Sequence, residues 1–130
     1  METIRIRKGD EYAKHVAMIS LCQINQRIAT SWGISKIICV YVNEMPALGL
    51  LVNGFIHQGW VFVALNERTD TYELFTVENK DKMVIVVKKH IDDVYCDMLT
   101  DTIDGMIERD PSWSDEEYNS KVDKWLSETA

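Results

Sequence analysis

Between residues 36 and 87 the chain carries five short apolar runs, rich in β-branched and aromatic residues: Lys36–Val42, Leu50–Ile56, Trp60–Leu65, Thr71–Val77 and Met83–Val87. Such runs read as strands. The later ones are joined by connections of roughly two to six residues, too short for the crossover that parallel neighbours require. The middle of the chain is therefore expected to be an antiparallel meander. No other feature restricts the fold as much, because a meander needs a cover for its apolar face.

The flanks supply that cover. Asp10 offers an N-cap, and Val16, Ala17, Leu21, Ile24, Ile28 and Trp32 form a helical stripe closed by Gly33, which predicts one long helix over Glu11–Trp32. Ahead of it, Met1–Lys8 alternates Ile4 and Ile6 with charge and predicts an edge strand or arm. Asn43–Gly49, with Pro46, reads as a turn. Asn53-Gly54 signals a tight hairpin, or a bulge within the second run. After the meander, a second helix is expected over Asp92–Glu108, with Val94, Tyr95, Met98, Leu99 and Met106 on its apolar side. Asp110-Pro111 ends it. Ser114 and Glu117 then form a capping box for a third helix striped by Tyr118, Val122 and Trp125.

The fold expected is thus α+β: a long N-terminal helix packed on an antiparallel meander of about five strands, followed by two C-terminal helices. All 130 residues are expected to form one domain, with residues 1–9 as an edge strand or arm and 110–130 as a semi-detached helix. Three strands are apolar on both faces. The C-terminal helices cover the second face, or a homodimer does.

Charge is unevenly placed. Residues 92–130 hold 12 acidic against 3 basic side chains, a net of −9, whereas residues 1–91 hold 9 against 11, a net of +2. Within the acidic part, Asp93, Asp97, Asp101, Asp104 and Glu108 recur at helical spacing on one face, with no basic residue between them. Like charges so spaced cost about 0.2–0.5 kcal/mol per pair, so the row opposes its helix by about 1–2 kcal/mol. A solvated face normally mixes signs, and a single-sign row fits a partner with a basic surface. Trp113 and Trp125, aromatics in the same acidic stretch, are candidate hot spots beside it. An acidic chain disfavours direct nucleic-acid binding and anionic membranes.

The chemistry-bearing residues form no recognisable motif. Cys22, Cys39 and Cys96 are odd in number, without CxxC or zinc spacing, which points to a reducing compartment and a cytoplasmic location. Neither a signal peptide nor a membrane-spanning run is recognisable. His90, Asp93 and Asp97, with Cys96 nearby, share a helix face only if that helix starts early; a polar strand-to-helix junction is the preferred reading, and no metal is assigned. His57 falls in a turn beside Trp60. No catalytic residue or cofactor is assigned, since Walker, GxSxG and dinucleotide motifs are all missing. The expected function is that of a small acidic cytosolic accessory or adaptor protein acting by protein–protein interaction, such as an inhibitor or immunity-type binder of a basic surface. The alternative is a small-molecule-binding protein or enzyme with a pocket between helix and sheet, near His57 and Tyr41.

Overall fold

The computed structural model describes residues 2–77 and 84–108, together with 114, 116, 117, 119–121, 123 and 124. It is α+β, and its antiparallel sheet has six strands rather than five. β1 (Thr3–Lys8) precedes the helices α1 (Glu11–Cys22) and α2 (Gln26–Ala29). Then follow β2 (Lys36–Val42), β3 (Met45–Asn53), β4 (Gln58–Asn66), β5 (Thr71–Val77), β6 (Val84–Val94) and α3 (Leu99–Ile107). Each strand pairs antiparallel with its sequence neighbour, and β1 pairs with both β2 and β6, so the sheet closes into a barrel. The N-terminal segment is therefore the closing stave, neither a free edge nor an arm. Closure satisfies backbone groups that an open meander leaves unpaired at its two edges.

Several boundaries differ from the sequence reading for local reasons. The long first helix stops at Cys22, and Asn25 starts α2 by accepting from the backbone N–H of Arg27 (2.9 Å). A 3₁₀ turn over Thr30–Trp32 completes the excursion, and Gly33 takes the left-handed conformation expected of it (φ 60°). The turn around Pro46 is only Asn43-Glu44, both at positive φ (48° and 67°), as a type I′ hairpin demands. Pro46 lies inside β3, opposite Tyr41 and one residue before the first β3–β4 pair, Ala47 with Ala64. Asn53-Gly54 opens a hairpin whose strands pair from Asn53 with Gln58. The helix expected from Asp92 does not begin there: β6 runs on to Val94, a 3₁₀ turn covers Cys96–Met98, and α3 starts at Leu99.

Two bulges explain that extended strand. Val77 faces Val87 and Thr76 faces Lys89, so Lys88 is one extra residue in β6. Leu74 faces Ile91 and Tyr72 faces Val94, which places a second extra residue beside Asp93 at φ 54°. Each bulge bends the strand around the barrel and resets which side chains point inward.

The alternation of the strands splits the core in two. Ile4, Val40, Val42, Ala47, Phe62, Ala64, Phe75 and Val77 fill the barrel. Gly49, Phe62, Phe75 and His90 lie in one row across β3 to β6. A Cβ at Gly49 would come within 2.7 Å of Ile38 Cγ1 and 3.0 Å of Phe62 Cε1. The outer faces of β3, β4 and β5 present Leu48, Leu50, Val52, Val61, Val63, Tyr72 and Leu74 to Ala17, Ile24, Trp32 and the α3 residues Leu99, Ile103, Met106 and Ile107. Trp32 is fully buried in that outer layer, as expected, whereas Trp60 packs on the opposite side, against the barrel interior and stacked on Phe62 at 6.0 Å.

α3 is anchored at its end. The Ile107 carbonyl accepts from the backbone N–H groups of Ile56 (2.8 Å) and His57 (3.2 Å), and the Glu108 carboxylate accepts from that of Phe55 (2.9 Å). Orphan groups at a helix C-terminus are thereby satisfied by the β3–β4 turn. Gly54 makes this possible, because a Cβ there would overlap the Ile107 carbonyl.

Candidate functional site

The five carboxylates expected on one helix face are divided by the extension of β6. Asp93 sits in the second bulge, Asp97 in the 3₁₀ turn, Asp101 and Asp104 on α3, and Glu108 at its C-cap. Asp104 and Glu108 are half-buried and act within the fold: Asp104 Oδ1 accepts from Trp32 Nε1 at 2.9 Å, and Glu108 caps the β3–β4 turn. Asp93, Asp97 and Asp101 are exposed, and their side chains form no hydrogen bond or ion pair with the described residues. The exposed Tyr95 and Met98 lie between them in sequence. Sequence inspection missed these two because both belonged to the apolar side of a longer helix; ending the strand at Val94 turns them outward. Trp113 and Trp125 lie outside the described residues.

The first bulge has a separate consequence. Ile85 and Val87 face the barrel interior, and unbroken alternation would send Lys89 in after them. The extra residue at Lys88 sends in His90 instead, opposite Phe75, on which its ring stacks at 4.2 Å. His90 Nε2 lies 3.0 Å from Glu73 Oε1 and Nδ1 lies 2.7 Å from Glu2 Oε2. Asn66 donates to the other Glu73 oxygen at 2.9 Å. The ring is thus held between two carboxylates, one at each nitrogen. The cluster ties β4, β5 and β6 to Glu2, the residue that leads into β1, at one mouth of the barrel. Its carboxylates diverge across the ring, so they do not converge on a point as metal ligands must. Among the described residues, no group of three His, Cys, Asp or Glu is placed to hold a metal. His90 is also turned away from Asp93 and Asp97, the neighbours with which the sequence grouped it.

His57 is not an accessible turn residue: it is 1% exposed. Its Nε2 lies 3.1 Å from the Trp60 carbonyl and its Nδ1 3.4 Å from Lys88 Nζ. These partners fit the neutral ring, with Nε2 donating and Nδ1 accepting. Burial holds its pKa below the ordinary histidine value, the Trp60 carbonyl opposes that shift and the Lys88 charge adds to it. Tyr41, the other residue of the expected pocket, is buried and donates to Asp10 Oδ1 at 2.7 Å. Asp10 also caps α1 through the Ala13 N–H, and the Tyr41 hydroxyl, then that N–H, hold its carboxyl below the usual range. Both side chains are therefore committed to structure.

A cleft of about 410 Å³ does lie between helix and sheet, elsewhere, lined by Leu21, Ile24, Ala29, Thr30, Ile34 and Ile37 among others. Its wall combines apolar side chains with the polar Gln26 and Thr30 and holds no ionisable side chain. No described helix is long and apolar enough to cross a membrane. Comparison with protein-family models, with curated proteins and with solved structures returns no match.

Proposed function

We propose that this protein acts by binding another protein, and that the β6–α3 junction is the contact surface. One observation carries the reading: Tyr95 and Met98 are 57% and 49% exposed amid the exposed carboxylates Asp93, Asp97 and Asp101. Large exposed apolar side chains rimmed by charge are the composition of interface hot spots. The partner presents a basic surface around an apolar recess, with charge steering encounter and the two side chains supplying affinity. Trp113 and Trp125, which lie outside the described residues, stay candidates for partner binding from the sequence alone. Three free thiols, two of them exposed, support a reducing, cytoplasmic setting.

Affinity capture from a native lysate tests this, with wild type, Asp93→Asn/Asp97→Asn/Asp101→Asn and Tyr95→Ser/Met98→Ser as baits. A basic protein held by wild type at low salt, released at high salt and lost from both variants is the expected result. Equal, salt-insensitive retention by the triple variant would reduce the carboxylates to a solvated surface.

The cleft beside Ile37 supports a second reading, a small-molecule site. A ligand seated there raises the melting temperature, and Ile24→Arg abolishes the rise.

A further inference from the structure

β1 does not accompany β2 along its full length. The register runs from Ile6 with Val42 to Lys8 with Val40, and Gly9 still touches Cys39, since a Cβ there would lie 2.5 Å from the Cys39 carbonyl oxygen. At Asp10 the chain turns away into α1. Residues Lys36–Ile38 are paired to β3 on one side, and on the other no strand faces them among the described residues. The same three residues are exposed, Ile37 at 51% and Ile38 at 36%, whereas the paired end of the strand, from Val40 to Val42, is buried. Ile37 points to the helix side, where it lines the apolar cleft with Leu21, Ile24 and Ile34. Ile38 points to the other side, in the row of Gly49 and Phe62.

An unpaired strand edge beside an apolar recess is the arrangement that accepts an added strand: main-chain bonds hold the segment and a pocket takes alternate side chains. Charge selects among occupants. Lys8 and Lys36 are exposed at the two ends of the open stretch and form no ion pair with described residues. The neighbouring carboxylate, Asp10, is engaged by Tyr41 and the Ala13 N–H. A second copy of this edge would bring lysines against lysines, and edge lysines oppose self-pairing. We infer that the Lys36–Ile38 edge of β2 binds an extended segment of a partner protein that alternates apolar side chains and carries carboxylates at its ends. The added strand continues the line that β1 leaves at Gly9, with one apolar side chain in the cleft.

The test uses the full chain, isotope-labelled for NMR, and the acetylated, amidated peptide Glu-Asp-Val-Ile-Val-Ile-Asp-Glu. Controls carry lysines in place of the four acids, or proline at the second valine. The expected result is binding of the acidic peptide alone, weakened by salt, with slowed amide exchange confined to residues 36–38 and their neighbours in the cleft. Ile37→Asp changes an exposed side chain and lowers affinity by about tenfold or more. Three results would overturn the inference: no binding, shifts that map elsewhere, or equal binding of the proline peptide. So would a free protein in which residues 36–38 already exchange as slowly as central strands, with the edge covered by this chain or by a second copy.

Discussion

Removing the Asp104 carboxylate separates two accounts of the acidic row. If the row were only a charged face, its loss would relieve repulsion from Asp101 and Glu108, a gain of about 0.2–0.5 kcal/mol for each pair. The structure predicts the opposite sign. Asp104 accepts the indole N–H of Trp32, a side chain with no exposed surface, at 2.9 Å. A hydrogen bond to a charged acceptor contributes about 1.5–3 kcal/mol, and a buried donor left unpaired costs a similar amount. Set against the relieved repulsion, Asp104→Ala should destabilise by about 1–2 kcal/mol. Asp104→Asn keeps an acceptor oxygen and should lose less than half of that. Asp101→Ala, one turn earlier and exposed, should stay within about 0.5 kcal/mol of wild type. Urea unfolding at neutral pH measures all three. A cycle with Trp32→Phe isolates the bond from the packing lost with the indole, and about 1 kcal/mol of coupling is expected. Indistinguishable Asp104→Ala and Asp101→Ala proteins, or no coupling to Trp32, would refute the reasoning.

Gly54→Ala places a methyl group on the Ile107 carbonyl and should cost about 2 kcal/mol or more by urea unfolding, with faster amide exchange at Ile56 and His57; wild-type exchange there would refute the proposed anchor. His57 has a lowered pKa in the folded state, so below about pH 6.5 the unfolded chain binds the extra proton and stability falls as pH drops toward the folded-state value. His57→Gln should flatten that part of the stability–pH curve by up to one proton, and an unchanged slope would place the linkage elsewhere. His90→Ala leaves Glu73, which is only 17% exposed, with Asn66 as its remaining hydrogen-bond partner and frees Glu2. It should destabilise by about 1–3 kcal/mol and speed exchange in β1 above all, whereas protection lost evenly across the sheet would contradict a latch on the closing strand.

What could be read from the sequence was governed by local chemistry. β-branched runs, short connections and turn residues determined an antiparallel sheet; the bounds of β2 and β5, the cap at Asp10 and the left-handed Gly33 follow from their own residues. Ile4 and Ile6 marked β1 as a strand, but nothing local says that it pairs on both sides. Closure is a long-range event between residues more than 80 positions apart, such as Ile4 and Ile85. The register shifts of β6 are also tertiary: the barrel bends the strand around itself, bulges absorb the bend, and a stretch with helical spacing is held extended to Val94. From that override follow the division of the acidic row and the exposure of Tyr95 and Met98, while the bulge at Lys88 turns His90 into the barrel mouth. Composition and periodicity set which segments form strands and helices. Which side chains meet was decided by the closed barrel, because strand pairing there outweighs the weak local preference of residues 92–94 for a helix.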